Sequence, residues 1–331
     1  MGEGSGNGGF PVTGGPSPSR LVYLLAYGVA SLIAVAAGCW TSYKTGARAS
    51  LWVPNVVAWF VGFAVAVPLS AVSFRRYWKF SLLCAVVLMA ATLVGPGPSG
   101  VHRWIGMGSV HFNAAQLLLP IAVIMLCVAP PDSAVITGAL AAICLTLALQ
   151  PDRSQAGAMT AAVAVLAATR WRASPRWLIH LGISLIAFLA SDLRPDSLAP
   201  VPQVEGIIGL AASVNRFAAA VMVCAVVVAS MWPASVRDGT PGRPGGGAGY
   251  ALAAYLCVSF LFGLLAAFPI PLAGLSISPI IGYWLAAGAL LAINSTARRD
   301  GSRPDHSDEG KRAHPDASNR RSNRAERTGS S

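Results

Sequence analysis

The chain has 331 residues, 54% of them hydrophobic and only 11% charged, with a net charge of +11 and a mean hydropathy of +0.59. Two of the charges lie in residues 1–20 and fifteen in 298–331, which leaves twenty in the 277 residues between. Against the roughly 25% of an ordinary globular chain, that is too few to clothe a water-soluble fold. The numbers exclude soluble two-domain, collagen-like, disulfide-scaffold and nucleic-acid-binding classes, and predict an all-α, polytopic membrane helix bundle.

Residues 1–20 are polar and rich in Gly, Ser and Pro, unlike the basic and apolar start of a cleavable signal. They are expected to be a disordered cytoplasmic segment. A bilayer core of about 30 Å needs about 20 apolar residues per helix. Spans are predicted at 21–40, 52–74, 78–95, 113–130 and 133–150, then at two shorter segments, 155–170 and 176–191, then at 205–232, 250–268 and 279–297. Counting both short segments gives ten crossings. Without them there are eight, and the sidedness of the rest is unchanged. A Gly- and Pro-rich linker at 238–249 precedes the last two spans. The tail from 298 carries nine basic and six acidic residues, is nearly free of apolar ones, and should be disordered. The six cysteines all fall inside apolar runs without zinc-site spacing, and read as small buried hydrophobes.

With the N-terminus inside, eighteen basic residues fall on the inner face and five on the outer. The positive-inside rule therefore places both termini in the cytoplasm. The unusual residues are then on the outside. In Gly95–Asn113, Trp104 beside Arg103 fits an interfacial anchor. Equally, His102 and Arg103 could face a cavity and grip an anion, since an Arg fork suits phosphate oxygens. In Leu149–Gln155, Asp152 and Arg153 could cap a helix start and neutralise each other. A third loop leads to Glu205, whose charge favours a helix N-terminus. Arg216, eleven residues on, would sit about 16 Å deeper in the same helix, where an arginine is either functional or paired with Asn215 or backbone carbonyls. The fourth loop, Phe268–Pro279, is apolar yet broken by three prolines, a backbone tolerated only against protein or a wet cavity. His180, alone in an apolar run, reads as packed. No phosphate-binding loop, zinc-protease motif or nucleophile elbow occurs, and no internal repeat is visible.

Four of these loops carry a resemblance. GVHRWIGMGSVHFNAAQ at 100–116 resembles the GAxRWIxLGxxxFQPSE segment of the SEDS family, the FtsW/RodA group of bacterial shape, elongation, division and sporulation proteins. LQPDRSQA at 149–156 is similar to LQPDLGTA, VPQVEGIIGLA at 201–211 to VPEAHTDFIFA, and PIPLAGLSISPIIGYW at 269–284 loosely to LPVTGLPLPFVSYGG. The four occur in the family's order over 21–297. The resemblance implies ten spans in the bacterial inner membrane. It also implies a glycosyltransferase that polymerises lipid II, or another polyprenyl-diphosphate-linked sugar, beside a class B penicillin-binding protein. The family's proposed catalytic carboxylate falls on Glu205. His102 and Arg103 would contact the diphosphate, and Asp152 and Arg153 would line the same cavity. Arg216 is a further candidate for substrate contact, and a divalent cation a candidate cofactor. Departures accompany the match. The long loop before span eight shrinks to about 14 residues, the family's Glu becomes Gln116, its Lys becomes Leu119, and Arg153 is a new charge. A non-catalytic scaffold that binds a cell-wall enzyme or a lipid-linked sugar is the alternative these departures leave open.

Overall fold

The structure is a computed structural model. It describes residues 18–301 except 73, 96, 98–99, 109, 171–173, 195–197 and 237–246. The expectations for the two termini and most of the linker therefore lie outside the described residues. Eleven α-helices are described: α1 (Pro18–Lys44), α2 (Ala49–Leu69), α3 (Trp78–Ala91), α4 (Ala114–Val128), α5 (Ala134–Leu149), α6 (Arg153–Arg170), α7 (Arg176–Asp192), α8 (Ile207–Val214), α9 (Arg216–Ser235), α10 (Ala248–Leu265) and α11 (Ile277–Gly301). α1, α2, α9, α10 and α11 are long and apolar enough to cross a membrane; α3, α4 and α5 are shorter apolar helices. Their outward faces carry Val, Leu and Phe, among them Val29, Phe60, Phe80, Val228 and Leu265. So much exposed apolar surface would be an aggregation hazard in water, and it suits a lipid-facing belt.

Contacts between helix ends sort the loops into two groups. Arg20 donates to the Ser70 carbonyl at 2.9 Å, and the Ser174 hydroxyl donates to Asp132 at 2.7 Å. Gly247 lies against Thr169 at this same end of α6. The starts of α2, α4, α6 and α11 and the loop before α8 meet around one cavity at the opposite end. Consecutive helices thus run in alternating directions, with the short α8 preceding the span-length α9.

Trp284 on α11 organises the core. Its ring meets Tyr27, Trp59 and Phe63 edge-on at centroid distances of 4.6, 5.5 and 5.4 Å, the geometry favoured by the ring quadrupole. Gly62 makes room for it: a Cβ there would lie 2.5 Å from the indole. α6 explains why 155–170 looks marginal by hydropathy. The helix is enclosed mainly by α7 and α10, so it is built of Ala, Gly, Ser and Gln that face protein instead of lipid.

Three findings correct or add to the expectations. The segment before α4 is an antiparallel hairpin, β1 (Trp104–Met107) with β2 (Val110–Asn113), Trp104 opposite Asn113. Its tight turn is allowed by Gly108, whose φ is 63°. Span 205–232 is two helices interrupted at Asn215, whose extended backbone ends α8 while its Oδ1 accepts from the amides of Phe217 and Ala218 at 2.8 and 3.1 Å. Asn215→Ala should cost about 1 kcal/mol through loss of this cap, read as a small drop in detergent-solubilised melting temperature. Third, only Cys39, Cys127 and Cys144 are buried, and Cys224 is exposed on the outer surface of α9.

Candidate functional site

The site begins at the corner between α5 and α6. The last carbonyls of α5 form a negative helix end and the first amides of α6 a positive one. Arg103 answers the first, with Nε donating to the Gln150 carbonyl at 3.2 Å and Nη2 to that of Pro151 at 2.6 Å. Asp152 answers the second: its Oδ1 accepts from the Gln155 amide at 3.2 Å and the Ser154 hydroxyl at 3.0 Å. The two charges also face each other, with Nε 3.8 Å from Oδ2, and both side chains are almost wholly buried. Asp152 therefore does cap a helix, but its ionic partner is Arg103, brought from 49 residues away. Arg153 pairs instead with Asp192 at 2.8 Å on an exposed face.

From this corner a polar chain leads inward. Gln155 Nε2 donates to Ser259 at 3.1 Å, and the Tyr255 hydroxyl donates to Gln155 Oε1. These bonds tie α6 to α10 within the bundle, where an unmade polar contact is expensive.

A cavity of about 400 Å³ opens above the corner, within the usual range of small-molecule sites. Its wall brings together Arg103, Asp152 and Glu205 from three separate loops. The Glu205 carboxylate accepts from the Val201 amide at 2.6 Å, closing the turn that precedes α8. The proline-broken loop after α10 supports that turn: Ile270 donates to the Val204 carbonyl at 3.2 Å and Leu275 to that of Gln203 at 3.0 Å. The loop itself packs against protein, with Ile270, Leu272 and Ala273 buried. Gly274 is required there, because a Cβ would lie 2.5 Å from the Val204 carbonyl oxygen.

Three candidates stand elsewhere. Arg153, expected beside Asp152 in this cavity, is absent from its wall and lies with Asp192. His102 is not part of the cavity wall; its Nδ1 meets the Gly95 carbonyl at 2.8 Å and holds the glycine-rich turn. Arg216 is exposed on the outer surface at the first position of α9. The break at Asn215 changes its depth. α9 alone has 20 residues, about 30 Å of helix, so it can cross the apolar core by itself and leave Arg216 near the boundary. An arginine there reaches the headgroups at little cost.

The cavity also holds side chains that the sequence did not single out for a role. Phe268 lies under both Arg103 and Arg153, whose Cζ atoms are 5.7 and 5.6 Å from the ring centroid, within cation–π range. His111 and Gln116 line the wall, and Gln116 has a buried Oε1 with no hydrogen-bond partner among the described residues. Asn55, a lone amide in an apolar helix, donates to the Gly274 carbonyl at 2.8 Å. For Asn55 that isolation was the only available signal. As for a divalent cation, no three His, Cys, Asp or Glu side chains converge among the described residues. The cavity offers the carboxylates of Asp152 and Glu205, and the first already serves Arg103 and the α6 amides. Two carboxylates fall short of an all-protein calcium cage and match the one or two that a magnesium ion takes alongside water and substrate phosphates.

Fold and site define a multi-pass membrane helix bundle with a polar cavity at one end. More particularly, the chain has the fold seen in crystal structures of the rod shape determining protein RodA from Thermus thermophilus and of its aspartate-to-alanine variant. Both superpose with a TM-score of 0.55 at 16% identity, over 87% of this chain and 98–99% of theirs. No protein-family model and no curated protein matches the sequence.

Proposed function

We propose that the chain is a SEDS-like glycosyltransferase of the bacterial inner membrane. It would extend peptidoglycan from lipid II, or from another polyprenyl-diphosphate-linked sugar, with both termini cytoplasmic and a class B penicillin-binding protein as partner. The observation that carries this reading is the cavity that unites Arg103, Asp152 and Glu205. In the proposed step, an acceptor sugar hydroxyl attacks the anomeric carbon of the donor and forms the new glycosidic bond. The bond from that carbon to the diphosphate oxygen breaks, and the polyprenyl diphosphate leaves with the electron pair. Glu205 takes the hydroxyl proton as general base, and Arg103 offsets the charge growing on the diphosphate.

A non-catalytic scaffold is the second reading. It draws on the same residues: Arg103 holds two carbonyls and Asp152, and Glu205 closes its own turn. Lipid II polymerisation by purified protein, alone and with its transpeptidase, separates the two. Glycan strands from wild type and at least a hundredfold fewer from Glu205→Ala are expected, the lower end of the range for losing a general base. Strands undiminished by Glu205→Ala would remove that residue from catalysis. Folded protein that binds lipid II without polymerising it favours the scaffold, and absence of binding removes lipid II as the ligand under either reading.

A further inference from the structure

Beside the first cavity lies a second, of about 250 Å³. The two share a wall of Leu198, Ala267 and Phe268. Arg103 lines the first and Arg153 the second, and both guanidiniums sit against the same phenyl ring. Phe268 is thus a partition between two chambers, each with an arginine in its wall, of which the second is the net positive one. The second chamber carries two arginines, Arg153 and Arg194, against the single carboxylate of Asp192. Arg153 gives Nη1 to Asp192, and Arg194 gives Nη1 to the carbonyls of Ala148 and Leu149 at 3.4 and 3.1 Å. Each guanidinium is engaged through one nitrogen, and its other N–H groups have no partner among the described residues.

We infer that this second cavity is an anion subsite that takes a phosphate group, separate from the cavity of Arg103, Asp152 and Glu205. A planar fork of donors is the side chain best matched to phosphate oxygens. The described lining is net positive, and the volume lies below the range of drug-sized sites, which suits a small anion better than a whole sugar. Asp192 occupies one arm of Arg153, so an incoming phosphate competes with that carboxylate for it. The phosphate could belong to a diphosphate-linked substrate or to a phospholipid headgroup, and the chemistry of recognition is the same. The inference concerns binding alone and stands whether or not the chain is a polymerase.

The test is calorimetric titration of the full-length protein in detergent with inorganic pyrophosphate. Saturable binding is expected, weakened about tenfold by Arg153→Gln and by Arg194→Gln, the loss of one charge-assisted hydrogen bond. Asp192→Asn should tighten binding about threefold, because it removes the competing carboxylate of an exposed pair. A merely structural role for the Arg153–Asp192 pair would not produce that gain. Melting temperatures of the three variants check folding, and the exposed Asp192→Asn is the most conservative of them. Pyrophosphate affinity unchanged in both arginine variants, or no tighter in Asp192→Asn, overturns the inference. A second arm repeats the titration in nanodiscs of phosphatidylglycerol and of a phosphate-free galactolipid. Weaker pyrophosphate binding in the first assigns the subsite to lipid headgroups, and equal binding assigns it to a diphosphate ligand.

Discussion

Replacing Asp152 with alanine should cost about 3 kcal/mol or more, the scale for breaking a buried ion pair by removing one partner. Three interactions go together. Arg103, 5% exposed, loses the carboxylate that faces it. The amide of Gln155 and the hydroxyl of Ser154 lose their acceptor, about another 1 kcal/mol if the loss follows other N-caps. The α5–α6 corner then has a positive helix start with nothing to neutralise it. Asp152→Asn is the informative comparison. It keeps an oxygen for the cap and removes only the charge, so it should recover the capping part of the loss and leave the ionic part. Thermal unfolding of the detergent-solubilised protein measures both. Equal stability of wild type and Asp152→Ala would mean that the corner holds without the pair, and that Asp152 is present for ligand alone.

Gly282→Ala should be equally damaging for a different reason. α11 crosses α4 so closely that a Cβ at position 282 would lie 2.3 Å from the carbonyl oxygen of Gln116 and 2.8 Å from that of Leu117. Both obstacles are backbone, so no side-chain rotation relieves them. The helices must part, with a cost of about 3 kcal/mol or more, the upper end for overpacking. Their separation would also move Asn113, whose amide donates to Ser278 at 2.8 Å across the same crossing. The cavity wall at Gln116 shifts with it. Gly138→Ala and Gly182→Ala are the controls: a Cβ at either meets nothing within 4 Å. Both sit in helices, so alanine should be neutral or stabilising by up to about 1 kcal/mol. Recovery of monodisperse protein by size exclusion, followed by melting, ranks the three. A Gly282→Ala protein as stable as the controls would show that the crossing has room for a methyl group.

The helical bundle was legible because membrane burial leaves a one-dimensional trace. Apolar runs such as 52–74 and 250–268 announce helices whatever their partners, and the observed α2 and α10 fall within a few residues of them. The trace weakens where lipid is absent. α6 faces its neighbours, and its Ala, Gly and Ser composition reports close packing instead of hydropathy. The break at Asn215 is a local event inside a continuous apolar run, decided by one side chain that caps the helix after it.

The site divides in the same way. The sequence by itself determined which loops carry the unusual charges, because Arg103, Asp152 and Glu205 are costly near an apolar slab and stand out against it. It also determined that Asp152 could cap a helix, a rule of local spacing. Only the tertiary structure decided the partners. Arg103 and Asp152 meet because α4 and α5 carry the chain away and back to the same end, and Arg153 turns to Asp192 because α7 ends beside the start of α6. The seat of Phe268 between two guanidiniums, and the separation of two cavities by its ring, likewise depend on contacts across more than a hundred residues. Local composition fixes what each segment can bury; which charges then lie within reach of one another is set by packing.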